Sequence, residues 1–421
     1  MKLLPSLVIP LTVAIVCSAL PAFPGAEGFG AEAIGAREGG EVYIVTDLND
    51  SGEGSFRDAV SQSNRIVVFA VGGVINIDSR IVIKDHVYIA GQTAPGQGIT
   101  VYGNGVSSLL VTFVIAWARV ATLANGENMM FDHVSVSWGR VETFSINGDV
   151  SNITISDSMI AQGLDTHSCG GLMQSTGGVS IFRSLYIDNK TRNPKVSAVS
   201  DFIGIHVYNW GSGGGYIAGD SDGPSSANIM NNIFIRYTNL WLVTLSLTFE
   251  PSGPDTSAHP FTRGNENFEA YVKDSYYDSD QDGTLNGNIL GESETNYSPI
   301  KFRAERFDYP AVANLLSPTD ALEYVMANAG ASLPRDHVDD YLINTELASL
   351  GKTGNISDPE ADPIGGPGPL EGGEAPTDTD QDGIPDEYET AAGTDPNKAD
   401  SMEIADNGYT HLENYVNSLV S

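Results

Sequence analysis

Disulfide capacity is the first thing missing. Among 421 residues there are two cysteines, Cys17 and Cys169. Cys17 falls in an apolar leader, which leaves Cys169 for the body of the protein and no internal disulfide. The fold must therefore rest on packing and ladder hydrogen bonds. Positive charge is scarce too: 21 Lys and Arg face 54 Asp and Glu, a formal net charge of -33. That excludes the basic footprint of a nucleic-acid binder. An acidic chain also repels a polyanion unless cations mediate. Membrane-length apolar runs are absent as well, since Leu7 to Val16 and Leu109 to Ala118 are both too short to span a bilayer. The first reads as the apolar part of a secretory signal, residues 1–22. Lys2 supplies its charge, and Cys17-Ser18-Ala19 or Leu20-Pro21-Ala22 its cleavage site. A secreted, extracellular protein that works as a monomer is expected.

What is present is a rhythm. Phe131 to Trp138, Asn152 to Ile160 and Gly178 to Ile187 each alternate apolar and polar residues, about twenty positions apart, with Gly, Asn and Ser turns between them. No helical segment intervenes, so the strands read as stacked coils of a parallel β-helix rather than helix-linked parallel strands. A solenoid grows by adding coils, so this length fits a single unit. Glu41 to Val45 and Arg65 to Val71 read as its first strands, with a turn and short helix between them. The runs 74–77, 80–83, 87–90 and 99–102 continue it. Ser107 to Ala124 and Tyr237 to Pro260 break the pattern, as a buried strand pair or a misread exon boundary would. Helical segments over 321–328 and 338–350 should pack back on the solenoid. The expected organisation is a signal at 1–22, a β-helix at 23–362, a Gly/Pro linker at 363–376 and an acidic tail at 377–421.

The sequence resembles the pectate lyase superfamily, most closely the secreted fungal enzymes. The matching stretches are Ala22 to Gly30, AGQTAPGQG at Ala90 to Gly98, FDHVSVSWG at Phe131 to Gly139, TRNPK at Thr191 to Lys195, and YNWGSGGGYIAGDS at Tyr208 to Ser221. Together they cover the chain from Ala22 to about Pro367. The resemblance implies an all-β, right-handed, single-stranded parallel β-helix. It also implies calcium-dependent β-elimination on 4-linked galacturonate (pectate, a plant cell-wall polymer). In the family an RxP motif supplies the catalytic arginine, and here that motif falls on Arg192 and Pro194. Read without the family, Arg192 is a cation beside a proline-fixed turn. Arginine is an unusual base, because its side-chain pKa exceeds about 12. The reaction works if calcium on the adjacent carboxylate acidifies the C5 proton.

Glu142 matches the family's calcium-binding acid. Asp132 also matches a family position, where it is either a ligand or a structural, hydrogen-bonded aspartate. There are departures. Leu109 to Ala118 contains no acid where relatives carry one, Val141 stands where close relatives have an acid, and Ser197 replaces a second arginine. Lys195, Lys190 and His167 are the candidates for holding the substrate carboxylate instead. The alternatives are a non-catalytic β-helix that binds acidic polysaccharide, or a pectin lyase acting without calcium. Trp210 in its glycine-rich run reads as a stacking platform for sugar or as part of a tight coil turn.

Two acidic loops read as further calcium sites. Asp378-Thr379-Asp380-Gln381-Asp382-Gly383 through Asp386 and Glu389 has acids at positions 1, 3, 5, 9 and 12 and glycine at 6, which is the EF-hand pattern, and it also resembles thrombospondin type 3 repeats. Asp278, Asp280 and Asp282 start the same way, but Ile289 stands at position 12. Sequons at Asn49, Asn152, Asn189, Asn296 and Asn355 are open to glycosylation in a eukaryotic secretory route.

Overall fold

Parallel strands fix the architecture. The structure is a computed structural model that describes residues 20–108, 121–164, 167–211, 213–220, 223–236, 259–310, 312–313, 315–351 and 358–420. Residues 1–19 of the expected signal, the centres of both irregular stretches and Asn355 lie outside the described residues. One long sheet runs through the strands Ala121–Asp132, Phe144–Ser156, Leu172–Phe182, Lys195–Ile203, Ser225–Met230 and Phe268–Lys273. A second stacks Ser135–Ser137, Met159–Ala161, Leu185–Ile187, His206–Tyr208, Ile233–Ile235 and Tyr276–Asp278. Register shifts between Asn147 and Ile153 and between Gln174 and Gly178 bend the long sheet, so that it supplies two faces of each coil. Ile153 pairs in parallel with Met129 on one side and Val179 on the other. The chain is a parallel β-helix.

The core follows from the two-residue period. Inward positions such as Met129, Ile153 and Val179 are fully buried, as are Ile155 and Ile181. Like residues stack from coil to coil, and each fully buried aliphatic side chain contributes about 1.5–3 kcal/mol. The Phe131 and Phe144 rings meet edge to face at 5.1 Å between centroids.

One detail departs from the sequence reading. Each of the three alternating runs is two strands with a corner, because His133, Asp157 and Arg183 take φ of 53°, 48° and 45°. None is glycine, so the usual turn signal is missing. The corner is set across coils: Val134 N donates to Ser158 Oγ at 3.1 Å, and Ser158 N to Ser184 Oγ at 3.1 Å. Those partners lie 24 and 26 residues apart, a longer coil than the strand spacing alone suggested.

Helices close the outside. Pro318–Asn328, capped by Ser317, and His337–Asp340, capped by Asp336 and continuing through Tyr341–Leu347, cover the second sheet. The first sheet, Glu41–Val45, Arg65–Phe69 and Val87–Ile89, is covered by the tail instead. Ile384, Leu412, Tyr415 and Val416 pack on Ile66, Val68, Tyr88 and Ala90. Arg37 Nε pairs with Glu413 at 2.9 Å, both buried. The Gly/Pro segment is not a free spacer, since Glu371 exchanges two hydrogen bonds with Gln97, at 2.9 and 2.7 Å. The apolar face of the tail helix His411–Ser418 thus finds a partner in the first sheet. Among the described residues no helix is long and apolar enough to cross a membrane.

Asp339 gives this packing a pH dependence. It is buried beneath the helices, where its Oδ2 accepts from the Ser135 hydroxyl and its Oδ1 has no partner. Burial, reinforced by the charge of Asp336, holds its carboxyl well above the ordinary carboxylate range. A group raised on folding contributes stability that is complete below its unfolded pKa and is lost as pH rises through the folded value. Asp339→Asn, which cannot ionise, should therefore melt close to the parent at about pH 4 and clearly above it at about pH 9. Thermal melts at the two pH values check this, and an equal difference at both would discard it.

Candidate active site and cation site

The residues around Arg192 are assembled by coil register. Glu142, Cys169 and Thr191 form successive parallel bridges across three neighbouring coils. Arg192 follows Thr191 with φ 58°, a left-handed conformation held because Gly171 N donates to its carbonyl at 2.7 Å and Asn193 N donates to Gly215 O at 2.9 Å. From there its Nη1 donates to Glu142 Oε1. Arg183 and Arg263 also take left-handed φ, of 45° and 56°, so what sets Arg192 apart is its contact with Glu142.

Other cations gather on the same face. Lys195 Nζ donates to the Asp220 carbonyl at 2.8 Å, and Arg263 Nη1 lies 3.3 Å from the Asp220 carboxylate. Lys190 N donates to Ser168 Oγ at 3.2 Å, and His167 is exposed on the preceding coil. Burial, with Glu142 behind it, pushes the Cys169 thiol up, while Arg192, Lys190 and Arg263 pull it down. The structure thus brings Glu142, Arg192, Lys190 and Lys195 to one region of a chain that is acidic almost everywhere else. Arg263 was missed in the sequence because no motif marks it, and Asp220, although inside the Tyr208 to Ser221 run, was not singled out; the pairings of Tyr216 with Phe261 and of Gly219 with Gly264 bring those coils together.

Several sequence expectations separate from this face. Asp132 stands at the far end of the long strands from Glu142, where it accepts from Ser156 Oγ at 2.5 Å and pairs with His133 Nδ1 at 2.7 Å. It lines a cleft of about 400 Å³ with Glu27, Asp157 and Arg183. Asp132 is thus hydrogen-bonded as a structural aspartate would be, and its ligand atoms also lie within 4.8 Å of those of His133 and Asp157, away from Glu142. Glu142 itself belongs to no three-acid group among the described residues. Trp210 is buried, its ring 6.0 Å from Phe234, so it is core rather than a sugar platform. Asn189 is also buried, with Nδ2 donating to Ile160 O at 2.8 Å and Oδ1 accepting from Gly163 N at 2.9 Å. A glycan there would break the coil, which corrects that sequon. Asn49 is exposed, whereas Asn152 and Asn296 are half-buried and donate to Asn128 and Gly291.

The two acidic loops differ. Asp278 is buried and accepts the amides of Asp280 and Asn286, while Asp282 accepts that of Thr284. Among the described residues, Asp278, Asp280 and Asp282 do not converge as a metal group. The tail loop does. Oxygens of Asp378, Asp380 and Asp382 lie within 4.8 Å of one another, and so do those of Asp382, Glu389 and Asp400. Glu389 is completely buried, and neither its oxygens nor those of Asp380 have a hydrogen-bond partner. Burial, with the charges of Asp382, Asp380, Asp400 and Asp378 behind it, pushes Glu389 up to about 7. A buried carboxylate without a donor, Glu389, beside four further carboxylates offers the oxygen set of a hard divalent cation, so these residues fit calcium. Asp386 is turned aside, accepting from Thr379 N and Oγ1 at 2.8 and 2.7 Å. Asp400 lay beyond the twelve-residue pattern and was missed for that reason.

Residues 378–399 match the bacterial TSP3 repeat family. Over the full length the chain is 58% identical to a protein of Aspergillus flavus named "Probable pectate lyase C", covering 100% of this chain and 99% of the relative. A relative of the same name from Emericella nidulans is 58% identical, covering 96% and 94%. The chain belongs to the pectate lyase family. Among solved structures, a pectate lyase from Bacillus sp. N165 in complex with trigalacturonate superposes with a TM-score of 0.48 at 11% identity, covering 74% of this chain and 100% of that one. No residue is placed by so loose a match.

Gly170 gives the arrangement around Arg192 a direct test. A Cβ there would stand 2.6 Å from Asn193 Oδ1 and 2.7 Å from the Arg192 carbonyl. Gly170→Ala must therefore shift the backbone that aims Arg192, at a cost of about 1–3 kcal/mol. Turnover should fall at least about ten-fold while circular dichroism keeps the β-helix spectrum. Unchanged turnover would show that the aim of Arg192 is unimportant.

Proposed function

We propose that the protein is a secreted, calcium-dependent pectate lyase that cleaves 4-linked galacturonan by β-elimination, with Arg192 as the base. The observation that carries this reading is Arg192 itself: a half-exposed cation in contact with Glu142 and among Lys190, Lys195 and Arg263. Full-length identity to proteins named pectate lyase supports it. The cation row offers an anionic polymer a landing site on an otherwise repulsive surface.

Calcium needs several oxygen ligands, and Glu142 is a single carboxylate engaged by Arg192. The residues fit the ion when galacturonate carboxylates complete its shell. Held there, calcium would acidify the C5 proton by drawing charge onto the substrate carboxylate. Arg192 first gives up a guanidinium proton to solvent, which alkaline pH favours, and then takes the C5 proton; the C4–O bond breaks, a C4–C5 double bond forms, and the departing oxygen is protonated from solvent. Lys195, Lys190 and the exposed His167 orient neighbouring uronate carboxylates. The tail loop is a separate calcium site, formed by Asp378, Asp380, Asp382 and Glu389.

Incubation with polygalacturonate and calcium should give rising ultraviolet absorbance from the unsaturated product, and chelator should stop it. Arg192→Lys should lose turnover by at least about a hundred-fold while binding polygalacturonate within a few-fold of the parent, because an ammonium cannot reproduce the planar fork. Turnover retained by that variant would move the base elsewhere. Binding by the parent with no product under any condition would leave a carbohydrate-binding β-helix.

A further inference from the structure

We propose that the tail is a cation-operated clasp: calcium held by Asp378, Asp380, Asp382 and Glu389, with Asp400 as a ligand from outside the loop, locks the tail onto the first sheet of the solenoid. This rests on the reading of the loop as a calcium site and adds what its occupancy does.

The acids alone would not carry this. The independent observation is Glu389, fully buried, with both carboxylate oxygens unpartnered and one within reach of Asp382 and Asp400. Nothing among the described residues offers those oxygens a proton donor, so closing the tail without a cation brings like charges together in a dry place. Asp400 is fixed in place by Lys398 Nζ, 2.8 Å from its Oδ2, and His411 Nδ1, 3.2 Å from its Oδ1, which leaves each oxygen a further lone pair for a cation.

The loop is wired to the solenoid over a short path. Asp382 Oδ2 accepts from Asp400 N and Ser401 N at 3.0 and 2.8 Å. Ser401 O in turn accepts from Leu412 N at 2.9 Å, and Leu412 packs with Ile66, Val68 and Tyr88. On the other side Gly383, at φ 91°, sits against Val42 and Val68, where an added Cβ would come within 3.0 and 3.2 Å. The docked helix, His411–Ser418, carries Glu413, whose buried carboxylate pairs with Arg37 at 2.9 Å. The clasp therefore bears on the first sheet and on the Arg37 segment that precedes it.

The experiment uses the full-length protein without galacturonan, in calcium or in chelator, read by hydrogen exchange with mass spectrometry and by calorimetric calcium titration. Calcium should slow exchange at least about ten-fold in 409–416 and in the strand Arg65–Phe69 beneath it. Asp400→Asn should weaken the calcium affinity of the tail at least about ten-fold, whereas Asp406→Asn, the same charge change at an exposed position, should stay within about two-fold. Calcium binding with no change in exchange at either segment overturns the clasp and leaves the loop reading standing. Absence of tail binding overturns both, and equal affinities in the two variants remove Asp400 from the site.

Discussion

Everything in this molecule depends on coil-to-coil registration. Parallel ladders pair Ile153 with Met129 and Val179, and the left-handed corners at His133, Asp157 and Arg183 repeat that pairing at each turn. With no disulfide available, hydroxyl and amide bonds such as Val134 to Ser158 and Ser158 to Ser184 pin the register. A shift of one residue would turn the aliphatic stacks outward and leave the corners without acceptors. The same registration places Glu142, Cys169 and Thr191 side by side and so decides what Arg192 can touch.

Charge is the second organising element. An acidic chain that handles an acidic polymer must concentrate its few cations where they matter, and Arg192, Lys190, Lys195 and Arg263 share one face. Structural cations lie elsewhere: Arg183 bridges Asp157 and Glu27, and Arg37 is buried with Glu413. The acids of the tail invert the logic. There like charges are gathered, with Glu389 buried beside Asp382 and Asp400 and both of its oxygens without a donor among the described residues.

The sequence by itself determined the β-helix, because the two-residue alternation and its recurrence are properties of the chain read in order. It also singled out Arg192, Glu142 and the loop from Asp378 to Glu389, each carried by a contiguous motif. It did not determine the corners, since His133, Asp157 and Arg183 carry no turn signature and take left-handed φ only because a neighbouring coil supplies acceptors. The separation of Asp132 from Glu142, the burial of Asn189 and Trp210, the joining of Arg263 to the Arg192 face, the entry of Asp400 into the cation cluster and the docking of the tail on Ile66 and Val68 were decided by tertiary structure alone. The physical reason is common to all of them. Alternation and motifs are set by neighbours along the chain, whereas burial, charge proximity and shared ligands are set by residues brought together from other coils or from the far end of the chain.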